Sequence, residues 1–236
     1  AHMKGFFVAI QFLTRIPLPA MQVEPDAFAR SMRWFPAVGL LIGALLAGAA
    51  TLAGGQDSWV AALLVLTVWV AITGALHLDG LSDLADAIGA GHKDSTRFRA
   101  VLADPHIGSF GVVIIVLQLL AKLVLLHALL EQHHVLPLLA IPFAARLGPL
   151  VWTRWLPQLH SGLSAHFVHA IRLRHILIWL VPLAVGIWFM PRLAAAPLFI
   201  ILWAIWLKRR VGGVSGDCHG AGIELVETGL LVSLLL

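Results

Sequence analysis

Three aspartates, Asp79, Asp83 and Asp86, follow one another at spacings of four and three residues. On a helix that spacing places all three on one face. Like charges on one stripe repel, so the pattern weakens a helix unless a cation is shared among them. Clustered carboxylates offer hard oxygen ligands, which suit Mg2+ or Mn2+ better than Zn2+ or Cu2+. Mg2+ is usually held by one or two carboxylates together with substrate phosphates. The chemistry this predicts is phosphoryl transfer at a diphosphate. Gly80 removes a side chain beside Asp79, so a ligand can approach the backbone there. The blander reading is a helix that exits into water carrying exposed aspartates.

A second stretch repeats the design. Gly216-Asp217-x-x-Gly220-Ala221-x-x-Glu224-x-x-Glu227 combines small residues with acids at helical spacing. Asp217 is a further candidate metal ligand. Glu224 and Glu227 are candidates for metal binding, for a base or for orienting substrate. Arg146 lies within an apolar run, which predicts an acidic partner or a phosphate. The turn Asp104-Pro105-His106-Ile107-Gly108-Ser109-Phe110-Gly111 can bring phosphate oxygens to backbone amides, although Asp-Pro before a helix is also an ordinary cap. Arg97 and Arg99 are candidate phosphate clamps or plain surface charge. Lys93 and Asp94 share their polar segment. His77 and His106 flank acids and suit a base or a hydrogen-bonded structural role. Cys218-His219 has too few ligands nearby for a zinc site, and the nine tryptophans suit interfacial belts.

These residues must be positioned by a membrane bundle. Of 236 residues, 60% are hydrophobic and only 12% charged, against about 25% charged in soluble domains. The mean hydropathy is +0.92. The apolar residues come in long runs, as in spanning helices. The expected architecture is all-α: a polytopic transmembrane helix bundle of about six to seven spans with an N-terminal interfacial helix. It forms one integral-membrane catalytic domain over 3–236, with Ala1-His2 read as a cloning scar. Spans are expected at about 34–52, 58–78, 108–130, 135–155, 175–190 and 194–207, with 225–236 completing a seventh or lying against the bundle. Gly39 and Gly43 in the first span allow close helix packing. No signal peptide is expected, because a small-residue cleavage site is lacking. One cysteine leaves no intrachain disulfide. The net charge of +4 sits in loops, which points to membrane orientation rather than nucleic acid. Nearly all Lys and Arg fall in the N-terminal segment and in the loops 79–107, 154–174 and 208–224. The positive-inside rule makes these cytoplasmic, so the two acidic stretches face the same side and can meet.

Taken together, His77-Leu78-Asp79-Gly80-Leu81-Ser82-Asp83, Asp104 with Ile107-Gly108, Gly212-Gly213, Gly216-Asp217 and Ile223-Glu224 resemble the cobalamin synthase family, also called adenosylcobinamide-GDP ribazoletransferase. Thr14-Arg15-Ile16-Pro17 and Phe35-Pro36 match as well, and the resemblance runs over essentially the whole chain. It implies a multi-pass enzyme of the bacterial inner membrane with its active site facing the cytoplasm and a need for Mg2+. Its substrates would be adenosylcobinamide-GDP and α-ribazole or its 5′-phosphate. GMP would leave, and adenosylcobalamin or its 5′-phosphate would form. Carried over by position, Asp79, Asp83 and Asp86 match the first acidic motif, Asp104 the second and Asp217 the third, while Arg97 and Arg146 match basic positions. The chain departs from the family at Ala103-Asp104-Pro105-His106, where two positive charges are missing or replaced by histidine. A CDP-alcohol phosphotransferase is the nearest alternative, but Ala-Arg is missing after Asp79-Gly80. A transporter or metal channel predicts acids spread through the spans, whereas here most acids sit at span ends on one side. Oligomeric state is left open.

Overall fold

The computed structural model describes residues 2–19, 24–91, 95–102, 104, 106–159 and 170–236. Helix α1 spans His2–Leu13, α2 Pro25–Ser31, α3 Phe35–Leu52, α4 Ser58–Thr73, α5 Leu76–Ala90 and α6 Ser95–Leu102. Helix α7 spans Ser109–Glu131, α8 Leu136–Ala145, α9 Gly148–Trp155, α10 Leu173–Phe189, α11 Ala195–Arg210 and α12 Gly216–Leu235. Short 3-10 turns at Met32–Trp34 and Pro191–Ala194 precede α3 and α11. Among the described residues, five helical runs are long and apolar enough to cross a membrane, and α4 with α5 makes a sixth if the bent pair is counted as one. Helix α10 is apolar but shorter.

The bundle is held by close backbone approach where small residues face each other. A Cβ on Gly39 would fall 2.5 Å from the Pro142 carbonyl, and one on Gly43 would strike the Leu139 carbonyl. Helices α3 and α8 therefore touch along the Gly39–Gly43 stripe, as expected of small residues four apart. Helix α8 continues into α9 after a break at Arg146–Leu147, so the expected fourth span holds Arg146 at an interior joint.

One expectation needs correction. The second span does not run on to Leu78. It stops at Thr73, because Gly74 and Ala75 both take left-handed φ values, +59° and +58°. Glycine takes that conformation freely, but at Ala75 it costs about 1–2 kcal/mol. Arg15 packs against this corner, its backbone N–H donating to Ile72 O at 2.7 Å. The chain turns by 83° here. Helix α5 thus turns away from the axis of α4, and by itself it is not among the five runs long and apolar enough to cross. At the C-terminus the first of the two expected alternatives holds: 225–236 completes an apolar helix with the glycine-rich segment before it, because α12 is continuous over Gly216–Leu235 and includes every acid of the second motif.

The start of α12 is pinned in two ways. Ser215 caps it, its Oγ accepting from Cys218 N at 3.3 Å. The preceding loop is stitched to the loop after α9: Val214 N donates to Pro157 O at 2.9 Å, and Leu159 N to Val214 O at 3.0 Å. From there α12 runs through the bundle with Ala221, Ile223, Val226, Leu230 and Leu231 buried.

Candidate active site

Helices α5 and α12 cross at glycine. A Cβ on Gly80 would stand 2.9 Å from Asp217 Cα and 3.0 Å from its carbonyl oxygen, too close for any side chain. Gly220, one turn further along α12, would meet His77 Cα at 3.3 Å. Glycines on both helices thus let the backbones touch. That contact carries Asp79 and Asp83, on successive turns of α5, to Asp217 in the first turn of α12. The N-terminal end of α12 favours negative charge on Asp217.

The meeting is electrostatically costly. Burial raises the Asp83 carboxyl pKa, and the charges of Asp79, Asp217 and Asp86 raise it further, to about 6. Negative charge thus reaches Asp83 from both helices. Among the described residues, no three Asp, Glu, His or Cys side chains are already drawn into one ligand cage. The donors are carboxylate oxygens of like sign, the set that a hard divalent cation satisfies.

Asp86 does different work from the other two. Its Oδ2 accepts from Gly108 N at 2.7 Å and its Oδ1 from Gly111 N at 2.9 Å. It caps the start of α7 and ties α5 to that helix. The glycines of this turn thus present their amides to a protein carboxylate. Asp104 lies apart on the surface, 51% exposed, with its Oδ1 2.6 Å from His106 Nδ1. The His106 hydrogen bonds hold the Asp104 carboxyl below its usual pKa. Arg97 is exposed on α6 and Gly216 opens α12. Lys93, Asp94 and the Arg99 side chain lie outside the described residues.

The remaining site residues belong to a buried ionic network. Lys122 Nζ stands 2.7 Å from Glu224 Oε2 and 2.6 Å from Glu227 Oε2. Arg146 Nη1 donates to Glu227 Oε1 at 2.8 Å, and Nη2 lies 3.5 Å from His77 Nδ1. Gln118 Nε2 donates to Glu224 Oε2 at 2.9 Å. Lys122 also sits 4.3 Å from the centre of the Trp69 ring. Two cations and two anions balance here, and His77 bridges the network to the aspartate helix. Arg146 does face an acid, one of the two partners its apolar setting predicts. The sequence reading missed Lys122 and Gln118. The signal was present: Lys122 interrupts the apolar run of α7, and a charge in such a run marks a buried partner.

A family model described as cobalamin-5-phosphate synthase matches residues 5–235. Among curated relatives, an adenosylcobinamide-GDP ribazoletransferase of Novosphingobium aromaticivorans is 58% identical over 238 residues, covering 99% of this chain and 97% of the relative. Proteins of the same name from Laribacter hongkongensis and Pseudomonas aeruginosa are 50% and 38% identical, covering 98% and 99% of this chain and 96% and 98% of the relatives. No solved structure matches.

Proposed function

We propose that this chain, which belongs to the cobalamin-5-phosphate synthase family, joins adenosylcobinamide-GDP to α-ribazole or its 5′-phosphate and releases GMP. The product is adenosylcobalamin or its 5′-phosphate. The observation that carries this reading is the glycine-mediated crossing of α5 and α12, which gathers Asp79, Asp83 and Asp217. The relatives' shared name and near-complete coverage support the substrate pair.

In the reaction a ribose hydroxyl of ribazole attacks the phosphorus attached to cobinamide. A new P–O bond forms as the bond to GMP breaks, and the hydroxyl proton leaves. Asp79, Asp83 and Asp217 would hold Mg2+ or Mn2+, which supplies neutralisation of phosphoryl oxygens when bound. The backbone at Gly80 offers the diphosphate an approach without a side chain in the way. Glu224 is engaged by Lys122 and Gln118, and His77 abuts Arg146. An aspartate of the crossing is therefore the better-placed acceptor for the hydroxyl proton. Asp86 acts as a positioning residue, because it fixes α5 against α7.

Orientation follows from charge. Arg30, Arg33, Arg97, Arg154, Arg172, Arg174 and Lys208–Arg210 fall at the end of the bundle that carries the crossing, and the opposite connections hold only Arg192. This supports an inner-membrane protein with its site facing the cytoplasm. The test is direct. Purified protein in detergent is given adenosylcobinamide-GDP, α-ribazole and Mg2+, and GMP is measured by chromatography. GMP that appears only with both substrates is expected; none above the no-acceptor control ends this reading.

A further inference from the structure

A second charged feature stands apart from the aspartate crossing. The start of α10 leans on the 3-10 turn Met32–Trp34 and encloses a cavity of about 470 Å3. It is lined by Arg33, Trp34, Arg174, His175, Ile178 and Trp179, none of which belongs to the crossing or to the ionic network. Its frame is rigid. Trp179 Nε1 donates to Arg33 O at 2.7 Å, and the Trp34 and Trp179 rings meet edge to face at 6.4 Å. The Arg33 guanidinium lies 5.9 Å from the centre of the Trp34 ring. Arg33, Arg172 and Arg174 all bring positive charge to His175.

The cavity has two ends of different chemistry. Arg174 is exposed at the first turn of α10, where the helix leaves the polar chain. One turn deeper the wall is Ile178, which is 61% exposed. Below it the outer face of α10 continues with exposed Leu177, Val181 and Val185. A water-borne phosphate would use the arginines and leave the apolar wall idle. An amphiphile whose anionic head meets the guanidinium groups while its chains follow α10 uses both. Arginine forks suit phosphate oxygens, tryptophans suit the headgroup level, and basic pockets between spanning helices suit anionic headgroups.

We propose that this cavity is a binding site for the headgroup of an anionic phospholipid, taken from the leaflet on the side of the aspartate crossing. Its phosphate is held by Arg33 and Arg174, and an acyl chain lies against Ile178. The bound lipid joins α10 to the segment that opens α3. The proposal does not depend on the transferase reading and is tested without substrate.

The test uses the full chain in nanodiscs or detergent. Phosphatidylglycerol is titrated against phosphatidylcholine, and retained lipid is counted by native mass spectrometry. Preferential retention of phosphatidylglycerol is expected. The Arg33→Gln/Arg174→Gln variant should bind it about 25-fold more weakly, taking each arginine near an anionic surface as about fivefold. Arg174→Lys, which keeps the charge, should retain most of the binding and controls for misfolding. Inorganic phosphate at the same concentration should not compete. Equal retention of the two lipids, unchanged binding in the double variant, or displacement by inorganic phosphate would each overturn the proposal.

Discussion

Helix α12 carries two charged regions built on opposite principles. In its first turn Asp217 joins Asp79 and Asp83, and the neighbouring charges that shift Asp83 are all negative. Two turns deeper Glu224 and Glu227 alternate with Lys122 and Arg146, each charge facing its opposite at 2.6 to 2.8 Å. The deeper region is 0–6% exposed, so its charges persist only because they are paired. The outer region can keep its repulsion because Asp79 is exposed and Asp83 half-buried. Balanced charge locks helices together, whereas like charge at a helix crossing stores a demand that a cation or a proton can meet. In the proposed reading the first arrangement positions the site, and the second is the site.

Removing charges should therefore have opposite effects in the two regions. The largest expected change is Glu227→Gln, which leaves Arg146 and Lys122 without a shared acid. A buried pair broken on one side costs about 3–5 kcal/mol, seen as a large drop in melting temperature in detergent. Removing Lys122 and Glu224 together as K122M/E224Q should cost less than the sum of the single changes. If the single changes simply add, the network is not a coupled unit.

Next comes Gly80→Ala. The new methyl must push α5 from α12, at about 1–3 kcal/mol of overpacking. Because a displacement near 1 Å can cost about 100-fold in rate, GMP release should fall far more than stability. Equal small losses in both would mean that the crossing does not set the geometry of the reaction.

Asp83→Asn should abolish GMP release yet leave the melting temperature in chelator unchanged or raised, since it relieves repulsion. The wild type should show the same repulsion through pH. The Asp83 pKa is raised in the folded state to about 6 from 3.8, so the fold holds the proton more tightly than the unfolded chain. Stability in chelator should therefore fall as pH rises from about 4 through 6, and the Asn variant should lose this slope. A rising profile over that range would contradict the crowding.

Much of this was legible in residue types and spacing. The aspartate triplet and the Gly216-Asp217 motif carry their chemistry in local pattern, and loop charges place them at one end of the bundle. Gly39 and Gly43 announced close helix packing, although not that α8 is the partner. The corner at Gly74–Ala75 was not legible, because an alanine in a left-handed conformation leaves no mark in composition. Hydropathy alone therefore carried the second span too far. Asp86 looks like its two neighbours in sequence, and only the approach of Gly108 and Gly111 turns it into a cap. Lys122 was readable in principle, but its partners lie more than 100 residues away, beyond any local pattern.

The central claim is that acids from α5 and α12 serve one divalent cation. Mn2+ binding to the purified chain, followed by electron paramagnetic resonance, tests it most directly. Asp79→Asn and Asp217→Asn should each weaken the same Mn2+ site by tenfold or more while the fold stays intact. Undiminished Mn2+ affinity in Asp217→Asn, with loss confined to Asp79→Asn, would contradict a site shared between the two helices.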